Sequence, residues 1–81
     1  MANNTNTRPL WAIAREVLKD WKNVYFGAVP YLDAMASLDS INDTYGWDSA
    51  LEIVLRFLSN ASTWRGETAK RVKAELKAMC K

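Results

Sequence analysis

Apolar residues recur along this chain at three- and four-residue steps, the period of helices packed on one face. Leu10, Ile13, Ala14, Val17, Leu18 and Trp21 make the first such series, with Arg15, Glu16, Lys19, Asp20 and Lys22 between them. This predicts an amphipathic helix over 8–23, capped by Thr7 and carrying Pro9 in its first turn, where a missing N–H costs little. A second helix is expected over 28–38, with Leu32, Met35, Ala36 and Leu38 as its apolar face. Gly27 marks the break before it, and Pro30 fits its first turn. Residues 39–46 are rich in turn formers and read as a loop.

The third helix, expected over 48–60, opens on the strongest start signal. Asp48 or Ser49 caps it, and Ser49-Ala50-Leu51-Glu52 matches a capping box. Its positions 50, 51, 53, 54, 55, 57 and 58 are apolar, leaving only a narrow polar strip. A helix this apolar is expected to be covered on most sides, at the centre of the domain. After a short connection with Ser62 or Thr63 as cap, the last helix is expected over 63–80. Ala69, Val72, Leu76 and Met79 form its single stripe, and Glu67 with Arg71 makes a supportive i,i+4 pair. The pattern therefore predicts a small all-α domain over 7–81, a bundle of about four helices behind a polar arm of residues 1–6.

Composition narrows the chemistry. The 81 residues include no His and one Cys, Cys80. The usual neutral-pH base and the commonest metal ligand are thus missing, and neither an internal disulfide nor a cysteine-based zinc site can form. The loop beginning at Asp39 places Ile41 and Thr44 where an EF-hand needs an oxygen ligand and a glycine, so Asp39, Asp43 and Asp48 read as turn and cap residues. No enzyme activity, metal or cofactor is expected. No apolar run reaches a membrane span, and residues 1–7 lack the apolar stretch of a signal peptide, so a cytoplasmic protein is expected.

The net charge of +2 conceals a segregation. Residues 1–22 carry +2, residues 23–55 carry five acids and no base, and residues 56–81 carry +5. Lys70, Lys73, Lys77 and Lys81 follow helical steps on the face expected opposite the apolar stripe. Such a stripe either lies in solvent or meets phosphates or an acidic partner. The connection before the last helix lacks the glycine often found in helix-turn-helix motifs.

Four Trp in a chain this short are a surplus over ordinary usage, and Trp and Tyr are enriched in interface hot spots. Trp21 fits the core stripe of the first helix, and Trp11 lies beside that stripe on the way to solvent. Trp47 and Trp64 precede the third and fourth helices, where a ring can lid the core. The strings Tyr25-Phe26-Gly27-Ala28-Val29-Pro30-Tyr31-Leu32-Asp33-Ala34-Met35, Tyr45-Gly46-Trp47-Asp48-Ser49-Ala50 and Phe57-Leu58-Ser59-Asn60-Ala61-Ser62-Thr63-Trp64-Arg65-Gly66-Glu67 resemble a family of short open reading frames of tailed bacteriophages, over roughly residues 24–79. The resemblance implies a small protein made in the cytoplasm of an infected bacterium, where such proteins are often non-enzymatic inhibitors or sponges of host defence or host machinery.

Two functions are expected from this. The first is a binding protein that blocks a bacterial host protein. The second is a module for nucleic acid or nucleotide on the basic last helix. In either case Trp64 and Arg65 are the expected contact residues, with Lys70 and Lys73 as electrostatic support. Gly66 either lets a partner's backbone approach or lets the last helix pack tightly on the second. The segregated charge and small core also favour self-association into a homo-oligomer.

Overall fold

The computed structural model describes residues 8–81. The expected arm 1–6 and the Thr7 cap lie outside the described residues. Four helices form, α1 (Leu10–Asp20), α2 (Val29–Met35), α3 (Ala50–Ser59) and α4 (Glu67–Met79), with a 3-10 turn at Phe26–Ala28. The domain is mostly helical but not all-α. Residues expected to be loop and helix start form an antiparallel hairpin, β1 (Thr44–Tyr45) and β2 (Asp48–Ser49), with Thr44 opposite Ser49 and Tyr45 opposite Asp48. Gly46 at φ 63° supplies the left-handed residue that its two-residue loop needs.

Each helix is shorter than the range expected for it. α1 starts at Leu10 because the N–H groups of Leu10 and Trp11 donate to the carbonyls of Asp39 and Leu38, at 2.8 and 2.9 Å. It stops at Asp20 because Trp21 leaves helical geometry, at φ −91° and ψ 93°, and enters the core. α2 closes at Met35 with a tighter turn in which Ser37 and Leu38 donate to the carbonyls of Ala34 and Met35. α3 is capped by Ser49, whose Oγ accepts from the Glu52 N–H at 3.1 Å. The Glu52 carboxylate lies 3.6 Å from Arg56 instead of returning to the cap. α4 begins at Glu67, four residues later than expected, because Gly66 at φ 117° turns the chain immediately before it.

The core gathers most of the expected stripes, but Leu18 and Ala36 lie in solvent. Leu10, Ile13, Ala14 and Val17 of α1 are buried with Leu32 and Met35 of α2, Ile53, Val54 and Phe57 of α3, and Ala69, Val72 and Leu76 of α4. The expectation for α3 needs correction, since Leu51 and Leu55 remain 37% and 46% exposed. Helix α3 is buried on one face, and its second apolar edge meets solvent.

α1 and α4 are tied by ions. Arg8 forks onto Glu75 with bonds of 2.7 and 3.0 Å. Arg71 pairs with Glu16, not with the expected Glu67. Arg8 also lies 2.9 Å from Glu16 Oε1, out of hydrogen-bond alignment, so that oxygen is held by charge alone. The Arg71 bond, and then Arg8, lower the Glu16 pKa against the opposing effect of desolvation. The Glu75 bond is the largest influence raising that of Arg8.

Candidate functional site

The residues expected to carry contact divide sharply. Trp64 is 2% exposed and belongs to the core, so its indole is not on the surface. Its ring stacks on Trp21 at 5.8 Å and 12°, and tilts against Phe57 at 6.4 Å. Its Nε1–H donates to Asp20 Oδ2 at 2.8 Å. A large ring with one polar atom is satisfied by this arrangement, with its face buried and its edge bonded. Lys73 is also committed, because its Nζ donates to the Trp64 carbonyl at 2.7 Å and sits 5.9 Å from the Trp64 ring centroid. Desolvation first, then Lys77 and Arg65, lower its pKa. The cation over the Trp64 ring is therefore Lys73 and not Arg65.

Arg65 and Lys70 do stand in solvent. With Trp64, Gly66, Ala69 and Lys73 they line a shallow notch of about 270 Å³ at the start of α4. Lys73 flanks the buried stripe, half-buried, instead of lying opposite it. Tight packing of the last helix on the second does not explain Gly66, because a Cβ built there would meet nothing within 4 Å. Glycine is required by its φ of 117°, which side chains with a Cβ rarely adopt.

The most exposed apolar side chains lie elsewhere, in the segment that carries only acids, although Leu18 and Trp11 of α1 also reach solvent. Trp47, expected to lid the core, is 103% exposed on the hairpin loop. Phe26 is 78% exposed, and Tyr25, Val29 and Tyr45 are also in solvent. Tyr25 and Phe26 pack on each other, with ring centroids 4.8 Å apart. Gly27 brings this turn against the end of α3, since a Cβ there would fall 2.7 Å from Asn60 Oδ1 and 2.6 Å from Tyr25 Cε2. Here the glycine provides close approach as well as a break between helices.

Between α2, the hairpin and α3 lies a second notch of about 160 Å³. Pro30 and Tyr31 of α2, Tyr45 and Asp48 of the hairpin, and Glu52, Ile53 and Arg56 of α3 line it. Three elements thus meet around one concavity. Trp11, by contrast, has its polar edge occupied. Its Nε1–H donates to Asp39 Oδ1 at 2.8 Å, and Arg15 covers its face at 5.1 Å.

The expected turn roles of two acids are visible in these contacts. Asp39 holds Trp11, while Asp43 Oδ2 accepts from the N–H groups of Asp39 and Ser40. No group of three or more metal-ligating side chains occurs among the described residues. None of the described helices is long and apolar enough to cross a membrane. No family model matches the chain, and no curated protein or solved structure shows significant similarity to it.

Proposed function

We propose that this is a non-catalytic binding protein that docks on a partner protein through the surface running from Phe26 to the hairpin and the outer side of α3. The observation that carries this reading is the exposure of Trp47, fully in solvent, and of Phe26 at 78%, in a domain that packs Trp21, Phe57 and Trp64 inside. The turn carrying Phe26 packs against Asn60 at the end of α3 and Trp47 precedes the start of that helix, so a partner covering both would lie along α3. Trp and Tyr are also the side chains that give most binding energy when a partner excludes water from them.

The resemblance of residues 24–79 to short open reading frames of tailed bacteriophages supports a partner in the bacterial host. In this proposal the protein acts in the cytoplasm of an infected cell and inhibits or sequesters a component of host defence or host machinery. The test is recovery of a host protein by the wild type and its loss with the Phe26→Ser, Trp47→Ser double variant. Both positions are exposed, so the variant should fold with stability within about 0.5 kcal/mol of wild type. Equal recovery by both proteins removes this surface from consideration. Light scattering on the same samples tests self-association, and a 9.2 kDa particle at high concentration and low salt counts against it.

A second reading keeps the notch at the start of α4 as an anion site. Its support is the pair of solvent-facing cations, Arg65 and Lys70, beside a helix end that has no side-chain cap. Nucleic acid or nucleotide binding there would weaken steeply with salt. Titrations at low salt that show no binding end this reading.

A further inference from the structure

We propose that the notch between Tyr31 and Tyr45 receives a lysine or arginine side chain from a basic, apolar segment of the partner protein. This inference rests on the docking face proposed above and specifies its partner. Two tyrosines line the notch, and an aromatic face attracts a desolvated cation through its quadrupole. Asp48 and Glu52 also line it, each with its side chain in an exposed residue, so a cationic head meets carboxylates and rings together. The volume of about 160 Å³ suits one side chain and is too small for a folded loop.

Charge selects the same occupant at longer range. The exposed aromatics of this face come from residues 23–55, a stretch with five acids and no base, of which Asp48 and Glu52 line the notch itself. Arg56, the one cation among the described residues that line the notch, pairs with Glu52 at 3.6 Å, and both side chains are 55% exposed. An exposed pair of this kind is weak and exchanges readily with an incoming cation. Complementary charge around an apolar centre steers association and excludes partners of the wrong sign. Nucleic acid is such a wrong-sign partner for this face.

A second copy of the chain would offer its own basic α4. The exposed residues of that helix are Glu67, Lys70, Arg71, Ala74, Lys77 and Ala78, which provide charge but no large apolar side chain to cover Phe26 and Trp47. A foreign segment carrying both kinds of side chain matches the face better.

The experiment is selection of a random peptide library on the immobilised protein. The expected result is enrichment of apolar peptides that carry Lys or Arg, with binding that is lost on the Phe26→Ser, Trp47→Ser variant and weakens with salt. The best peptide should bind at least about tenfold more weakly to the Asp48→Asn, Glu52→Gln variant. Replacing its basic residues by Glu should weaken binding to the wild type by as much, a comparison that does not depend on how any variant folds. Enrichment of apolar peptides without Lys or Arg overturns the inference and leaves the docking face standing. No enrichment, or enrichment indifferent to Phe26→Ser and Trp47→Ser, overturns both. A dimer whose formation blocks peptide binding makes the second copy the occupant and also overturns the inference.

Discussion

Replacing Trp64 tests whether its ring is core or contact. Truncating a buried Trp to Ala costs about 3–5 kcal/mol, from lost burial and the cavity left behind. The whole domain, at about 0.05–0.15 kcal/mol per residue over 81 residues, holds roughly 4–12 kcal/mol. Trp64→Ala is therefore expected to leave a marginal or unfolded protein. Trp64→Phe is more informative, because it keeps a ring against Trp21 and Phe57 but loses the Nε1–H bond to Asp20. That bond is to a charged acceptor, but Asp20 is exposed, so its loss is discounted to about 1 kcal/mol. The smaller ring adds about as much in lost packing. The total of about 2 kcal/mol lowers Tm by roughly 8–16 °C in a domain of this size. Far-UV circular dichroism is the appropriate signal, since tryptophan fluorescence changes with the substitution itself. A Trp64→Phe protein with unchanged Tm and weakened partner binding would refute the reasoning and return Trp64 to the surface.

Other outcomes follow from the ion network and the special backbone positions. The Glu16 carboxyl is held below its ordinary pKa of 4.5, so its ionised form favours the folded state above that pH and the benefit fades as pH falls through the lowered value. The stability gap between wild type and Glu16→Gln should therefore be widest near neutral pH and close in acid, as read by urea unfolding at stepped pH. Gly66→Ala should cost about 1–3 kcal/mol through backbone strain alone, with no clash, while Gly46→Asn at φ 63° should cost less than about 1 kcal/mol in the same assay. Cys80 is half-buried and desolvation raises its thiol pKa, so iodoacetamide should modify it more slowly in the folded protein than in urea at the same pH.

Much of the fold was legible because helical periodicity reports which side of a helix is buried without knowing against what. The stripes of α1, α3 and α4 each contain the residues that the core buries, and Trp21 closes the first of them. Helix ends were less legible because they depend on distant partners. Nothing local to Leu10 announces that the carbonyls of Leu38 and Asp39 will receive its first N–H groups. The hairpin was missed because two residues per strand are too few to show alternation, although Tyr45-Gly46-Trp47-Asp48 does carry the glycine that a two-residue loop demands.

The candidate site shows the same limit most clearly in two tryptophans. Trp47 and Trp64 each stand three residues before a helix, at Ala50 and Glu67, and local reasoning treats them alike. Their fates are opposite because a residue in a connection has no period, and its burial depends on what the rest of the chain brings to it. Trp64 meets Trp21, Phe57 and the Asp20 carboxylate, whereas Trp47 sits on a hairpin loop whose left-handed Gly46 carries the chain away from the core. The charge pattern was the better guide to the surface, since charges stay in solvent wherever the helices end. The acid-only stretch from residue 23 to 55 contains Phe26, Tyr45 and Trp47 as well as the notch carboxylates. Apolar exposure and negative charge thus coincide in one stretch of chain, while the basic α4 uses Arg71 and Lys73 to hold α1 and Trp64 in place. That division is the reason the proposed docking lies on the acidic face, and of the lysine stripe it leaves Lys70, Lys77 and Lys81 in solvent.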